Sequence, residues 1–201
     1  MTAHRMTASR TNSQTAPWRL LATLGASALL LTGCGSGSET VAAPPPSPSP
    51  VASSPPCPIT ATEVKAPAGS TTDLKTKPVI KGSTTAPPTD LQYADLVKGT
   101  GAEAVNGSQV DVKYVGVLYG SGKEFDSSWK RSADETLPFS ICRSGVIDGF
   151  AVGPLGMKVG GRRQIIIPAA FGYKDVAQGA DLPANSTLVF VVDLMKVTPP
   201  A

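Results

Sequence analysis

Histidine is all but missing from this chain of 201 residues. The only one, His4, lies in the first 33 residues, which also hold Arg5, Arg10 and Arg19 and no acid. An apolar run, Leu20 to Thr32, follows that basic flank. This is the layout of an export signal, and the run is too short to span a bilayer comfortably. Loss of the leader removes His4 and leaves no imidazole. Ser-His-Asp and Cys-His nucleophilic catalysis are then excluded, and so are histidine-based metal sites. A cationic excess is missing too. The whole chain carries 18 Lys+Arg against 15 Asp+Glu, but the three leader arginines account for the difference, and the remainder balances at 15 against 15. Nothing here argues for nucleic acid as a partner. Arg162-Arg163 is a dipeptide within a strand and not a basic patch. Cysteine is scarce: Cys34, Cys57 and Cys142 are the only three, with no C-x-x-C, so redox and zinc chemistry are not expected.

The leader ends in Leu31-Thr32-Gly33-Cys34, which resembles the lipobox of bacterial lipoproteins. That resemblance implies a signal peptide over 1–33, diacylglycerol on the Cys34 thiol and cleavage that makes Cys34 the new N-terminus. The protein would be exported and lipid-anchored at the outer face of the cell membrane. One acyl chain anchors only marginally, but lipoprotein processing supplies at least two. Residues 34–58 read as a tether. Eight prolines fall between Pro44 and Pro58, a composition that favours extended polyproline II at roughly 3.1 Å per residue. Residues 59–88 are rich in Thr, Ser, Gly and Pro with apolar pairs such as Val79-Ile80, and read as an extended segment with an added strand. In an oxidising compartment Cys57 and Cys142 either pair, stapling this extension to the domain, or remain separate thiols.

Residues 89–199 carry the patterning of a folded domain. Leu91 to Val97 reads as a first strand ended by Gly99-Thr100-Gly101. Val110 to Tyr119 alternates, with Val110, Val112, Tyr114, Gly116 and Leu118 on one face, as a half-buried strand does. Tyr119 to Lys123 is turn chemistry. Glu124–Asp126 and Leu137–Ile141 are short strands, and Thr187–Val197 is the last, with Leu188, Phe190, Val192 and Leu194 on one side. Several strands with one short helix predict an antiparallel α+β domain.

The centre of that domain is residues 146–173. Val146, Ile147 and Phe150 fall at helical spacing, and Gly153-Pro154 end the turn because proline cannot continue a helix interior. Arg162 to Ile167 is a β-branched strand stopped by Pro168. Phe171 and Tyr173 follow just past its end. A small apolar helix and two aromatics thus bracket one strand, which makes a shallow apolar cup with a phenol at its rim.

These residues resemble the FKBP-type peptidyl-prolyl isomerases. The matching stretches are YVGVLYGSGKEFDSSW (114–129), GVIDGF (145–150), GMKVGGRRQIIIPAAFGY (156–173) and LPANSTLVFVVDLMKV (182–197), in the family's order and spacing apart from one extra pair of residues within 132–136. The resemblance covers roughly residues 88 to 198. It implies a twisted antiparallel sheet wrapped around one short helix; the signal and tether region before it reads as disordered. It also implies catalysis of X–Pro rotation in exported proteins, without metal or cofactor, by a monomer whose partners are Pro-containing polypeptides or a macrolide. A surface-anchored module that binds Pro segments or a macrolide with little turnover is the alternative. The resemblance assigns Tyr114, Phe125, Asp126 and Tyr173 to catalysis, the last donating its phenol hydrogen to a carbonyl. It assigns Arg131, Phe139, Val146, Ile147, Phe150, Leu182 and Phe190 to binding, with Leu182 closing the rim and Arg131 in a network with Asp126 and Tyr114.

Four positions depart from the family pattern. Phe150 stands where Trp is usual at the pocket floor, and Leu137 where an aromatic is common. Lys174 replaces the glycine that normally follows the phenol residue, and Asp181 replaces a residue that is frequently apolar. With Asp175 and Gln178 the last two make the rim loop more polar.

Overall fold

The computed structural model describes residues 57–132, 134–143 and 145–200. The expected signal peptide, the Cys34 lipidation site and nearly all of the tether lie outside the described residues. Seven strands form one sheet: β1 (Thr62–Glu63), β2 (Gln92–Val97), β3 (Gln109–Leu118), β4 (Glu124–Ser127), β5 (Leu137–Ser140), β6 (Arg162–Ile167) and β7 (Leu188–Thr198). The order is β1-β2-β6-β7-β3-β4, with β5 also on β3. β7 runs along one side of β3 for its whole length, from Gln109↔Thr198 to Leu118↔Leu188. On the other side β5 pairs with Gln109–Val112 and β4 with Val115–Val117. β3 is therefore the central strand, which suits its alternating, β-branched sequence.

Two expectations need correction. The sheet is mixed, not purely antiparallel, because β1 runs parallel to β2 with Thr62↔Gln92 and Glu63↔Tyr93 in register. This short strand is the one anticipated somewhere in 59–88. The helix α1 (Asp148–Val152) begins later than the apolar spacing suggests. Ile147 is extended, with φ −60° and ψ 145°, and caps α1 from outside, so Val146 and Ile147 lie on the approach to the helix. Gly153 ends it, as expected, and lets it sit tightly on the sheet: a Cβ there would lie 2.3 Å from Ile165 Cδ1.

The concave face holds the main core. Val110, Val112 and Tyr114 of β3 meet Ile165 and Ile167 of β6, Leu188, Phe190, Val192 and Leu194 of β7, and Phe150 of α1. The convex face of β3 is partly covered as well, which its half-buried reading did not anticipate. Val115, Val117 and Val189 are buried there, with the partly buried Ile80, Tyr119, Trp129 and Ile166 packed against them. Each such valine adds about 1.5–3 kcal/mol over an exposed one.

The extension that covers this face is fastened by Arg162. Its guanidinium is fully buried, and all five of its N–H donors are used. Nε and Nη2 donate to the two carboxylate oxygens of Asp193, at 2.5 and 2.6 Å. The other donors reach the carbonyls of Thr71, Asp73 and Thr76 at 3.0–3.1 Å. Arg163 points to the opposite face. It donates to Asp95 Oδ1 at 2.6 Å and to the carbonyls of Gly153 and Leu155 just beyond α1, and stacks on Tyr93 at 4.0 Å. The arginine pair is thus two structural clasps, one per face. Cys57 and Cys142 are joined by a disulfide, with Cα atoms 5.3 Å apart across 85 residues.

Candidate active site

A hollow of about 420 Å³ opens on the concave face, lined by Tyr114, Phe125, Asp126, Leu137, Gly145, Val146, Ile147, Phe150, Tyr173 and Phe190. It sits where the sheet curls around α1. β3 supplies Tyr114, β4 supplies Phe125 and Asp126, and β7 supplies Phe190. The loop into α1 supplies Val146 and Ile147, and Tyr173 follows the 3-10 turn Ala169–Phe171. Phe150 is the hub of the rings. It packs edge-on to Phe190 at 4.9 Å and to Tyr114 at 5.7 Å, and tilted against Phe139 at 5.2 Å. Phe125 meets Phe190 edge-on at 5.5 Å. Edge-to-face rings at these separations interlock, so the floor is rigid as well as apolar.

The position between Tyr114 and Leu118 explains how the two outer rings come together. A Cβ on Gly116 would lie 2.7 Å from Phe190 Cε1 and 2.8 Å from Phe125 Cζ. Only glycine lets both rings lie against β3.

One edge of the hollow is charged. Tyr114 donates its hydroxyl hydrogen to Asp126 Oδ2 at 2.5 Å. Arg131 donates through Nη1 to Asp126 Oδ1 and through Nη2 to the Tyr114 hydroxyl, both at 3.2 Å. Its Nε donates to Glu135. The backbone N–H of Ser127 donates to Asp126 Oδ1 at 2.7 Å. A carboxylate beside apolar rings needs such partners. It remains accessible all the same, with 46 % of the Asp126 side chain exposed. Burial, reinforced by the hydrogen bond to Asp126, pushes the Tyr114 phenol above its ordinary value. Burial and then the Asp126 charge do the same for Tyr173. The Tyr173 hydroxyl has no hydrogen-bond partner among the described residues, so its proton is free to be donated into the hollow.

Eight of the eleven catalytic and binding residues named from the sequence line this one space. Arg131 stands behind Asp126 and acts on it by hydrogen bonding. Phe139 is buried beneath, against Phe150. Leu182 is buried in the main core and is not among the residues that line the hollow; Gln178 N–H donates to its carbonyl at 2.9 Å. Its neighbour Asp181 is exposed and pairs with Lys123 at 2.7 Å. Two lining residues were not assigned. Leu137 drew notice only as a departure from the family, and Gly145 carries no signal in a single sequence. Among the described residues no cluster of three or more His, Cys, Asp or Glu could hold a metal.

Comparison with known proteins follows the same lines. The family described as FKBP-type peptidyl-prolyl cis-trans isomerase matches residues 101–195. The "FK506-binding protein" of Streptomyces anulatus is 46 % identical over 112 residues, which are 55 % of this chain and 89 % of that protein. The "Probable FK506-binding protein" of Corynebacterium glutamicum is 44 % identical over 119 residues, 59 % of this chain and 97 % of that one. Among solved structures, FkpA from Escherichia coli is 36 % identical with a TM-score of 0.48, over 61 % of this chain and 53 % of that one.

Proposed function

The chain belongs to the FKBP-type peptidyl-prolyl cis-trans isomerases and is an enzyme of that class with an FKBP-like fold; from this premise we propose that the ring-lined hollow is where an X–Pro bond is turned. Rotation costs about 18–20 kcal/mol because it breaks amide resonance, and uncatalysed exchange takes roughly 10–100 s at 25 °C. No nucleophile is required. The enzyme has only to bind the twisted amide better than the planar one. Resonance places charge on the carbonyl oxygen of the planar state, and a water-poor pocket of Phe125, Phe150 and Phe190 disfavours that charge relative to the less polar twisted state. The proline ring packs on the same side chains and on Val146 and Ile147. Tyr173 donates to a neighbouring carbonyl and holds the peptide in place. Asp126, fixed by Tyr114 and Arg131, faces the rotating carbonyl carbon from the edge.

The observation that carries this reading is the convergence of five rings with one unpartnered, half-buried phenol. A protease-coupled assay on an apolar-X–Pro peptide, with and without a macrolide inhibitor, tests it. The expected result is exchange well above the uncatalysed rate, suppressed by the macrolide. Binding of peptide or macrolide with exchange near the uncatalysed rate would favour a holding module instead, a reading that the smaller Phe150 supports.

Beyond the domain over 89–199, we read residues 1–33 as a lipoprotein signal and 34–58 as a tether that holds a monomer at the outer face of the cell membrane, where exported Pro-containing chains are its clients. The Leu31–Cys34 sequence supports this. Cys34→Ser should move the protein from the membrane fraction to the soluble one; unchanged partitioning would remove the anchor.

A further inference from the structure

The family match begins at residue 101, yet the segment before it grips both sides of the hollow. On one side Lys77 Nζ lies 2.9 and 3.0 Å from the two carboxylate oxygens of Glu124, and Lys130 Nζ lies 3.2 Å from Oε1. Glu124 directly precedes Phe125, and Lys130 directly precedes Arg131. Neighbours along a strand point to opposite faces, so the bridge works from behind while Phe125 faces the hollow. Lys77 is itself well placed for this, since the preceding carbonyl, that of Thr76, is held by the buried Arg162. The two lysines also hold the Glu124 carboxyl below its ordinary value, against the opposing effect of its burial. On the other side Cys57 is bonded to Cys142, whose N–H donates to the Ala151 carbonyl of α1 at 3.0 Å. Three residues later the chain becomes the wall Gly145-Val146-Ile147.

We infer that the extension 57–88 is a brace that sets the width of the isomerase hollow, with Lys77 and the Cys57–Cys142 disulfide as positioning groups at its two lips. The inference rests on reading that hollow as the isomerase site. The brace acts on affinity: it holds Phe125 and Arg131 on one lip, and Val146 and Ile147 on the other, at the separation that grips a proline ring. Its loss widens the hollow without removing any group that touches the substrate.

The test compares the wild type with Lys77→Met, Lys77→Arg and the double variant Cys57→Ser/Cys142→Ser, well below their unfolding temperatures. KM comes from the peptide assay, and Kd for the same X–Pro peptide from titration of backbone amide signals. Phe125→Ala serves as the control for the site itself. Lys77→Met should raise KM and Kd about threefold and the double serine variant about fivefold or more, with kcat within twofold, and Lys77→Arg should restore wild-type values. Partly unfolded enzyme lowers the apparent kcat but leaves the KM of the folded remainder alone. A fall in kcat with unchanged KM and Kd therefore overturns the brace and leaves a merely structural role. Wild-type constants throughout would overturn it as well. If wild type and Phe125→Ala turn over equally, the site reading fails first and the brace with it.

Discussion

On the concave face of the sheet the Asp126–Arg131 pair stays nearly half exposed at 3.2 Å, beside rings that form an open hollow. On the convex face the Arg162–Asp193 pair is sealed, with side-chain exposures of 0 and 3 % and every guanidinium donor engaged. Both pair an arginine with an aspartate, but they answer different needs. The exposed pair gains little Coulomb energy in water, so it is free to orient a carboxylate and to adjust as a ligand arrives. The buried pair has no such latitude. Either charge left alone would be costly, and that cost ties the extension to the sheet.

The sharpest way to break this contrast is to remove one member of the sealed pair. Asp193→Ala leaves Arg162 buried and uncompensated and should cost about 3–5 kcal/mol, read as a large fall in the urea midpoint. Asp126→Ala, its counterpart on the open face, should change stability by less than about 1 kcal/mol. Equal losses would mean that the two faces do not differ as described. Next in size is Gly116→Ala. Its methyl would overlap Phe125 and Phe190, and such overpacking costs about 1–3 kcal/mol. It should lower peptide affinity together with stability.

Much of the concave face was legible. The alternation of Val110, Val112 and Tyr114 and the β-branched run Arg162–Ile167 were sufficient to place β3 and β6, because period-two burial is a local property of the chain. The hollow followed from the family pattern at Phe125, Asp126, Phe150 and Tyr173, since matched spacing carries spatial order with it. The convex face was not legible. Arg162 is satisfied by carbonyls 86 to 91 residues away, and backbone carbonyls leave no trace in side-chain patterning. Leu182 was ambiguous for a related reason: an apolar residue in a loop reads alike whether it covers a rim or plugs a core.

Lys174 shows the opposite case, a departure in the sequence whose meaning needed backbone angles. It has φ +56°, in the left-handed region where the family's glycine rests without strain. Its N–H donates to the Ala169 carbonyl and its carbonyl accepts from Asn185, so the conformation is held from both sides. Lys174→Gly should stabilise the protein by about 0.5–1 kcal/mol, the smallest effect expected here, as relief of that strain exceeds the added freedom of the unfolded chain. A rise in thermal midpoint of a few degrees or less would agree; a fall would mean that the lysine side chain makes a contact worth more than the strain.

The most direct measurement is the exchange rate of one apolar-X–Pro peptide under wild type and Phe125→Ala at equal concentrations, with both proteins shown to be folded by circular dichroism. Phe125 touches the hollow and Phe190 and takes no part in the sealed pair. The expected result is strong acceleration by the wild type and a loss of tenfold or more in kcat/KM for the variant. Equal acceleration by both would contradict the claim that a water-poor ring of aromatics selects the twisted peptide bond.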